Sequence, residues 1–151
     1  MVYFTYALRT LLGLLLRRPL LGTCVIPILP DGTIVLVRRR DNGLWSLPGG
    51  IVDWGEDILT AANRELEEEA GLAVVALERL VGVYSQPGRD PRFHSVCVAL
   101  AVRAQGHPIA ADPREILAAQ GFATDQIPWD SLSHDHAQHL RDYLSGQTVV
   151  A

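Results

Sequence analysis

The stretch that decides the fold is GIVDWGEDILTAANRELEEEAGL, residues 50–72. Its apolar residues recur every four positions, which is typical of a helix that packs on one side; they are Ile58, Ala62, Leu66 and Ala70. Glu65, Glu68 and Glu69 stand at positions i, i+3 and i+4 and therefore share another face of that helix. Carboxylates this close repel one another unless a cation lies between them. The pattern predicts a helix of about four turns that carries a divalent-cation site.

The sequence also marks the ends of this helix and a partner for its acids. Glu56 and Asp57 fall where a first helical turn favours acidic side chains, and Gly71 is placed to end the helix in a left-handed conformation. Arg64 lies eight residues after Glu56 and four before Glu68, so its guanidinium is expected to orient carboxylates without binding a metal itself. The alternative is a solvated acidic face, which predicts interleaved cationic residues, and none follows Arg64 in the helix.

Nine residues in and around this helix stand at the spacing of a known motif: Gly50, Glu56, Arg64, Glu65, Leu66, Glu68, Glu69, Gly71 and Leu72. Their spacing resembles, without a departure, the Nudix box of hydrolases that cleave nucleoside diphosphates linked to another group. The resemblance implies an α/β (α+β) fold, a Nudix-type α/β/α sandwich with a mixed β-sheet. It also implies hydrolysis of a pyrophosphate bond.

The resemblance implies roles for individual residues. The metal ligands would be Glu65, Glu68 and Glu69, with the carbonyl of Gly49 as a further one and Mg²⁺ or Mn²⁺ as the cofactor. Glu65 is the first choice for the catalytic base; Arg64 and Glu56 would orient the cluster, and Gly50 would allow a ligand to approach. Glu115 is a looser candidate for another ligand or base, for which a solvated surface carboxylate is an equal alternative.

Composition indicates one small catalytic domain. The chain has 151 residues, 48% of them hydrophobic and 20% charged, which suffices for one core and not for two ordinary domains. The net charge is −4 and the one basic tract, residues 38–40, is short, so a polymeric nucleic acid is not an expected partner. All 13 cationic residues are arginine, which excludes a lysine nucleophile and leaves planar groups suited to phosphate.

The cysteines and histidines are not expected to bind a metal. Cys24 and Cys97 fall in apolar, strand-like runs without a CxxC pattern, so neither a disulfide framework nor a zinc site is predicted. Reduced, buried thiols are expected instead, in a cytoplasmic protein. His134, His136 and His139 are expected to be capping or surface residues.

The N-terminal residues 1–20 predict an amphipathic helix that precedes a single domain over residues 21–147. One side of this helix is apolar, with Phe4, Leu8, Leu11, Leu12 and Leu15. Its uncharged runs are too short to span a bilayer. Packing on the domain or on a partner subunit, as in a homodimer, is the preferred interpretation, and weak contact of residues 1–18 with a membrane surface is the less favoured one.

The rest of the chain predicts strands at residues 23–29, 33–39, 44–47, 77–84 and 94–102. Pro30-Asp31-Gly32 predicts the turn of a hairpin between the first two. A last helix is predicted from residue 132 or 133 to residue 144, which would place helices on both sides of a mixed sheet.

Several residues are candidates for binding the substrate. Arg39 could reach a phosphate, with a basic solvent edge as an equal alternative, and Trp45 could stack on a base, although a core position is preferred. Trp54 is expected to pin the loop before the helix. The rigid, charged loop PGRDPR, residues 87–92, displays Arg89, Asp90 and Arg92 and resembles the ADP-ribose pyrophosphatase branch of the family. An internally salt-bridged turn is the alternative for this loop.

Three functions remain open at this point. The leading one is hydrolysis of a small nucleotide, ADP-ribose or a related nucleotide sugar, to AMP and a sugar phosphate. The second is a house-cleaning nucleoside triphosphate pyrophosphatase, for example one that acts on oxidised dGTP and releases pyrophosphate. The third is a non-catalytic nucleotide-sensing module, which the undamaged box disfavours.

Overall fold

Eight strands form one mixed sheet within residues 18–151, the part of the chain that the computed structural model describes. The strands are β1 (Leu20–Ile28), β2 (Ile34–Arg39), β3 (Trp45–Ser46), β4 (Gly49–Ile51), β5 (Ala73–Tyr84), β6 (Ser95–Gln105), β7 (Ile116–Phe122) and β8 (Val149–Val150). The α-helices in these residues are α1 (Ile58–Ala70) and α2 (His136–Leu144), with 3₁₀ turns at Thr124–Gln126 and Trp129–Ser131.

Strand β1 organises the sheet. It runs parallel to β6 from the pair Leu20 and Ser95 onward, and β6 in turn pairs antiparallel with β5. On its other edge β1 meets β4 and, at the predicted hairpin, β2. In the turn of that hairpin, both the backbone N–H and the hydroxyl of Thr33 donate to Asp31 Oδ1, at 3.0 and 2.8 Å. The mixed sheet is therefore as the sequence predicts.

The core has two layers because neighbouring residues of a strand point to opposite faces of the sheet. Val25 and Val35 face α1 and pack with Leu66, whereas Ile26 and Leu36 face the opposite way and pack with Leu140 of α2. Each helix thus covers one face. The predicted α/β/α sandwich is confirmed.

Helix α1 has a defined beginning and end. Asp57 is the N-cap, and its Oδ1 accepts a hydrogen bond from the Thr60 N–H at 2.8 Å. Gly71 ends the helix at φ 65°, with its N–H donating to Glu67 O at 3.0 Å. The expectation that Glu56 lies in the first helical turn is wrong, because the cap is one residue later and Glu56 lies in the preceding loop.

Other elements differ from the prediction at their ends. Strands β5 and β6 are longer than predicted, and the weakly patterned residues 116–122 form β7 because they pair along β2. Helix α2 begins only at His136, since Leu132 forms a strand-like bridge with Trp45 and His134 has a φ of 51°. Strand β8 pairs with β5 and lies beyond residue 147, where the sequence places the end of the domain.

The N-terminal prediction falls almost wholly outside the described residues. Leu20 already belongs to β1, so the predicted helix does not extend to residue 20. Within residues 18–151, neither helix is both long and apolar enough to cross a membrane.

Helix α1 should be held on the sheet by the burial of Leu66. Leu66 is fully buried, whereas Leu59 on the same helix is 44% exposed. We expect Leu66→Ala to lower the free energy of unfolding by about 2–5 kcal/mol because it leaves a cavity. The matched Leu59→Ala should change it by less than about 1 kcal/mol. Urea unfolding followed by circular dichroism measures both, and equal losses would contradict this account of the core.

Candidate active site

Two glycines of β4 lie directly against the acidic face of α1. The Gly49 N–H donates to Glu69 Oε2 at 3.1 Å. A Cβ at Gly50 would overlap the carboxylate of Glu65 and displace it, whereas a Cβ at Gly49 would overlap the backbone of Thr23 and Cys24, so the close approach requires glycine at position 49. Glu65 and Glu69, one helical turn apart, therefore contact two successive residues of β4, Gly50 and Gly49.

Arg64 connects the carboxylates of this unit. Its Nε and Nη2 donate to the two oxygens of Glu56 at 2.8 and 2.9 Å, and its Nη1 donates to Glu65 Oε1 at 2.7 Å. A longer bond of 3.4 Å reaches Glu68 Oε2, and Nη2 also donates to the Ile51 carbonyl at 3.1 Å. The structure thus places Arg64 between Glu56 and Glu65, and the orienting role of Arg64 and Glu56 stays a prediction. The hydrogen bond from Arg64 lowers the pKa of Glu56 to about 2.

The three glutamates of the cluster have different surroundings. Glu69 is only 6% exposed, and burial raises its pKa to about 8 against the opposing hydrogen bond from Gly49. Burial also raises the pKa of Glu65, although Arg64 opposes the rise. The side chain of Glu68 is 57% exposed and lies outside the cavity that Glu65 and Glu69 line.

A cavity of about 440 Å³ opens above Glu65 and Glu69. Glu115, just before β7, lines the same cavity, and its charge contributes to the raised pKa of both glutamates. The structure thus brings Glu115 to the box, 46 residues away from Glu69, because β7 pairs with β2. Its role as a ligand or base stays a prediction.

The donor set fits Mg²⁺ or Mn²⁺. The donors are carboxylate oxygens, which hard divalent cations prefer. Burial raises the pKa of both Glu65 and Glu69, and the charge of Glu65 adds to the rise at Glu69. Glu69 Oε2 accepts the Gly49 N–H, and Oε1 accepts no hydrogen bond from the described residues, which leaves Oε1 available to a cation. Gly49 also lines the cavity, and metal ligation by its carbonyl stays a prediction.

The three arginines predicted to bind the substrate line the cavity, and each is held by an aspartate. Arg39 pairs with Asp41 at 2.7 Å. In the loop of residues 87–92, Arg92 pairs with Asp90 at 2.7 Å, which is the internally salt-bridged turn considered above. Arg89 instead reaches Asp135, with both oxygens at 3.1 Å. The structure thus brings Arg39, Arg89, Asp90 and Arg92 to one site.

Neither Trp45, a candidate for base stacking, nor Trp54 lines the cavity. Trp45 does not line the cavity, because its ring packs edge-on against Phe122 with ring centroids 5.0 Å apart. The structure therefore does not bring this ring to a position for stacking on a base, and Trp45 belongs to the core. Trp54 is fully exposed, so the expectation that it pins the loop is wrong.

Sequence reasoning missed a hydrogen-bonded chain in the cavity wall. Buried His139 contacts Cys24 Sγ through Nδ1 and Asp135 Oδ2 through Nε2, both at 3.1 Å, so it has neither the capping nor the surface role expected of it. His136 accepts the Leu47 N–H through Nδ1 at 2.9 Å. The i, i+4 spacing of Asp135 and His139 could have indicated their bond, whereas nothing local links His139 to Cys24.

Comparison with known proteins agrees with this geometry. A family model described as NUDIX domain matches residues 18–144. An ADP-ribose pyrophosphatase of Methanocaldococcus jannaschii is 36% identical over 119 residues, which cover 76% of this chain and 67% of that protein. A candidate 8-oxo-dGTP diphosphatase of Bacillus subtilis is 47% identical over 129 residues, or 85% of this chain and 83% of that protein. The crystal structure of an ADP-ribose pyrophosphatase from Streptococcus suis matches with a TM-score of 0.72 and 30% identity, over 89% of this chain and 100% of that one.

The raised pKa of Glu69 predicts a pH-dependent stability of the metal-free protein. The unfolded chain releases this proton near pH 4.5, whereas the folded protein keeps it to about pH 8. Folding therefore binds a proton in this window, and the free energy of unfolding should fall as the pH rises through it. Glu69→Gln should reduce that fall by at least about 1 kcal/mol, since one unit of pKa shift corresponds to 1.36 kcal/mol.

Chemical unfolding in EDTA at several pH values measures this effect. Glu67→Gln is the matched control, because Glu67 is exposed on the same helix. Saturating Mg²⁺ should also flatten the wild-type curve, since the cation replaces the proton. A wild-type curve that rises with pH would contradict the assignment.

Proposed function

The chain belongs to the Nudix family and is a pyrophosphohydrolase, and we propose that its substrate is ADP-ribose or a related nucleotide sugar, cleaved to AMP and a sugar phosphate. One observation carries this proposal: the Glu65 and Glu69 carboxylates and three aspartate-held arginines line the same cavity. Its volume of about 440 Å³ lies in the usual range for small-molecule sites. Two of the similar proteins bear the name ADP-ribose pyrophosphatase.

Nudix hydrolases generally depend on a divalent metal ion. In our proposal Glu65, Glu68 and Glu69 hold Mg²⁺ or Mn²⁺, which when bound supplies positive charge to the pyrophosphate oxygens and lowers the pKa of water. Glu65 remains our first choice for accepting the proton of the attacking water. Burial moves its pKa upward, closer to the pH at which a general base works best.

The arginines act on the substrate in this proposal. Arg39, Arg89 and Arg92 are cations already fixed by ion pairs, so little side-chain entropy remains to be lost when they meet phosphate. Their charge would offset the negative charge that develops on the leaving phosphate. Arg64 lines the cavity but is engaged with Glu56 and Glu65, so we assign it positioning of Glu65.

One comparison favours a second candidate, hydrolysis of an oxidised nucleoside triphosphate. The Bacillus subtilis relative named for 8-oxo-dGTP has the higher identity, 47% against 36% for the archaeal ADP-ribose pyrophosphatase. Both reactions use the same box, so the box does not separate them. A non-catalytic sensor is not favoured, because every box residue is present. A cytoplasmic location belongs to the proposal as well, supported by two free thiols.

Lysine at position 64 should weaken catalysis without unfolding the protein. One ammonium group cannot make the paired bonds to Glu56 and reach Glu65 at once. We expect Arg64→Lys to lower kcat/KM about 10–100-fold, in line with other residues that orient metal ligands. Because the variant should bind the metal more weakly, its loss of kcat/KM should become smaller at high Mg²⁺. Arg103→Lys, at an exposed position on β6, is the control, and equal activity of the two variants would contradict this role.

Product mass distinguishes the two candidate substrates. The full chain should convert ADP-ribose to AMP and ribose phosphate with the higher kcat/KM in a panel with NADH, dinucleoside polyphosphates and 8-oxo-dGTP, with Mg²⁺ or Mn²⁺. A higher kcat/KM on 8-oxo-dGTP with release of pyrophosphate would overturn the choice in favour of the second candidate. Glu69→Gln should lower turnover at least about 100-fold on either substrate. Near-wild-type turnover of this variant at saturating Mg²⁺ would contradict the metal site itself.

A further inference from the structure

A second cluster of metal-binding residue types lies beside the carboxylate box. It consists of Cys24, Cys97 and His139, all buried, and their two sulfur atoms and one imidazole nitrogen lie within 4.8 Å of one another. The sheet creates this cluster. In the register of β1 and β6, Gly22 is opposite Cys97, so Cys24 and Cys97 lie on the same face, one diagonal step apart.

The hydrogen bonds of His139 prepare its other nitrogen for a ligand role. Its Nε2 lies 3.1 Å from Asp135 Oδ2, and an ionised carboxylate can only accept a hydrogen bond. In the neutral imidazole the proton is therefore on Nε2, and the lone pair of Nδ1 points to Cys24 Sγ at 3.1 Å. A carboxylate behind the histidine is the usual arrangement at protein metal sites. Arg89 holds Asp135 in turn.

The spacing and the charge of the cluster suit one tetrahedral cation. Bond lengths of about 2.3 Å to sulfur and 2.0 Å to nitrogen place neighbouring ligand atoms about 3.5–3.8 Å apart. The observed separations, 3.1 Å between Cys24 Sγ and His139 Nδ1 and at most 4.8 Å for any pair, require changes of no more than about 1.3 Å. Two thiolates and a neutral imidazole carry a total charge of −2, so a bound divalent cation leaves the buried site neutral and avoids an uncompensated buried charge.

We propose that Cys24, Cys97 and His139 form a site for one thiophilic cation, Zn²⁺, separate from the carboxylate site for Mg²⁺ or Mn²⁺. Binding forms two Zn–S bonds and one Zn–N bond, and it releases the two thiol protons to solvent. Cys24 and Cys97 line the cavity, which gives the cation an entry path and leaves a fourth position for water.

The two sites should also select different metals. Sulfur ligands prefer soft cations, whereas the oxygen ligands of the box prefer hard cations.

Cobalt absorption tests the proposal without measuring activity. The reduced full chain is titrated with Co²⁺ at saturating Mg²⁺. We expect a sulfur-to-cobalt charge-transfer band in the near ultraviolet and the visible bands of a tetrahedral site, saturating at one Co²⁺ per chain. Zn²⁺ should remove these bands and further Mg²⁺ should not. Absence of the charge-transfer band would overturn the proposal.

Substitutions at the proposed ligands test whether the charge-transfer band arises from Cys24, Cys97 and His139. Cys24→Ser and Cys97→Ser should each lose most of it, and Asp135→Asn should weaken Co²⁺ binding about 10–100-fold by releasing His139. Glu69→Gln should keep the band, since Glu69 belongs to the other site. A band that persists in both cysteine variants, or one that disappears in Glu69→Gln, would contradict the assignment.

A measurement on the wild type covers the case in which a cysteine variant does not fold. Zn²⁺ at one equivalent should slow alkylation of both thiols in the native protein at saturating Mg²⁺, with the number of modified thiols read by mass. Unchanged alkylation of either thiol would overturn the proposal.

Discussion

The catalytic box depends on a single constraint, the mutual repulsion of carboxylates held on one helix face. Helix α1 is fixed on the sheet by Leu66 and Ala62, so the acids cannot move apart. Arg64 offsets part of the repulsion and also ties the loop before the helix to it through Glu56. Glu69 has no such partner among the described side chains, and burial raises its pKa to about 8. A proton on Glu69 therefore relieves the repulsion in the metal-free protein, and in our proposal a divalent cation takes the place of that proton.

The sequence predicts well what lies close along the chain. The apolar stripe of α1, its end at Gly71 and the contact of Arg64 with Glu68 follow from spacings of three and four residues. The structure agrees with these expectations because such spacings are fixed by the helix itself. The loop of residues 87–92 was similarly suggested by its own composition, and it does line the cavity.

The contacts that the sequence could not predict join residues that lie far apart along the chain. Glu115 reaches the box because β7 pairs with β2, and residues 116–122 carry no clear strand pattern of their own. The sequence favoured a core position for Trp45, but it could not identify the packing partner, Phe122, 77 residues later. Cys24 meets His139 across 115 residues, so the absence of a CxxC motif gave no information about this cluster. Local patterns do not encode such contacts.

Asp135 is shared between two parts of the site, and this has a thermodynamic consequence. The same carboxylate accepts hydrogen bonds from Arg89, in the loop over the cavity, and from His139, in the core of α2. A ligand that competes for Arg89 must change how strongly Asp135 holds His139. By reciprocity, any change at His139 alters how readily Arg89 is released. The affinity of Arg89 for a ligand and the affinity of His139 for its own partners are therefore linked through Asp135.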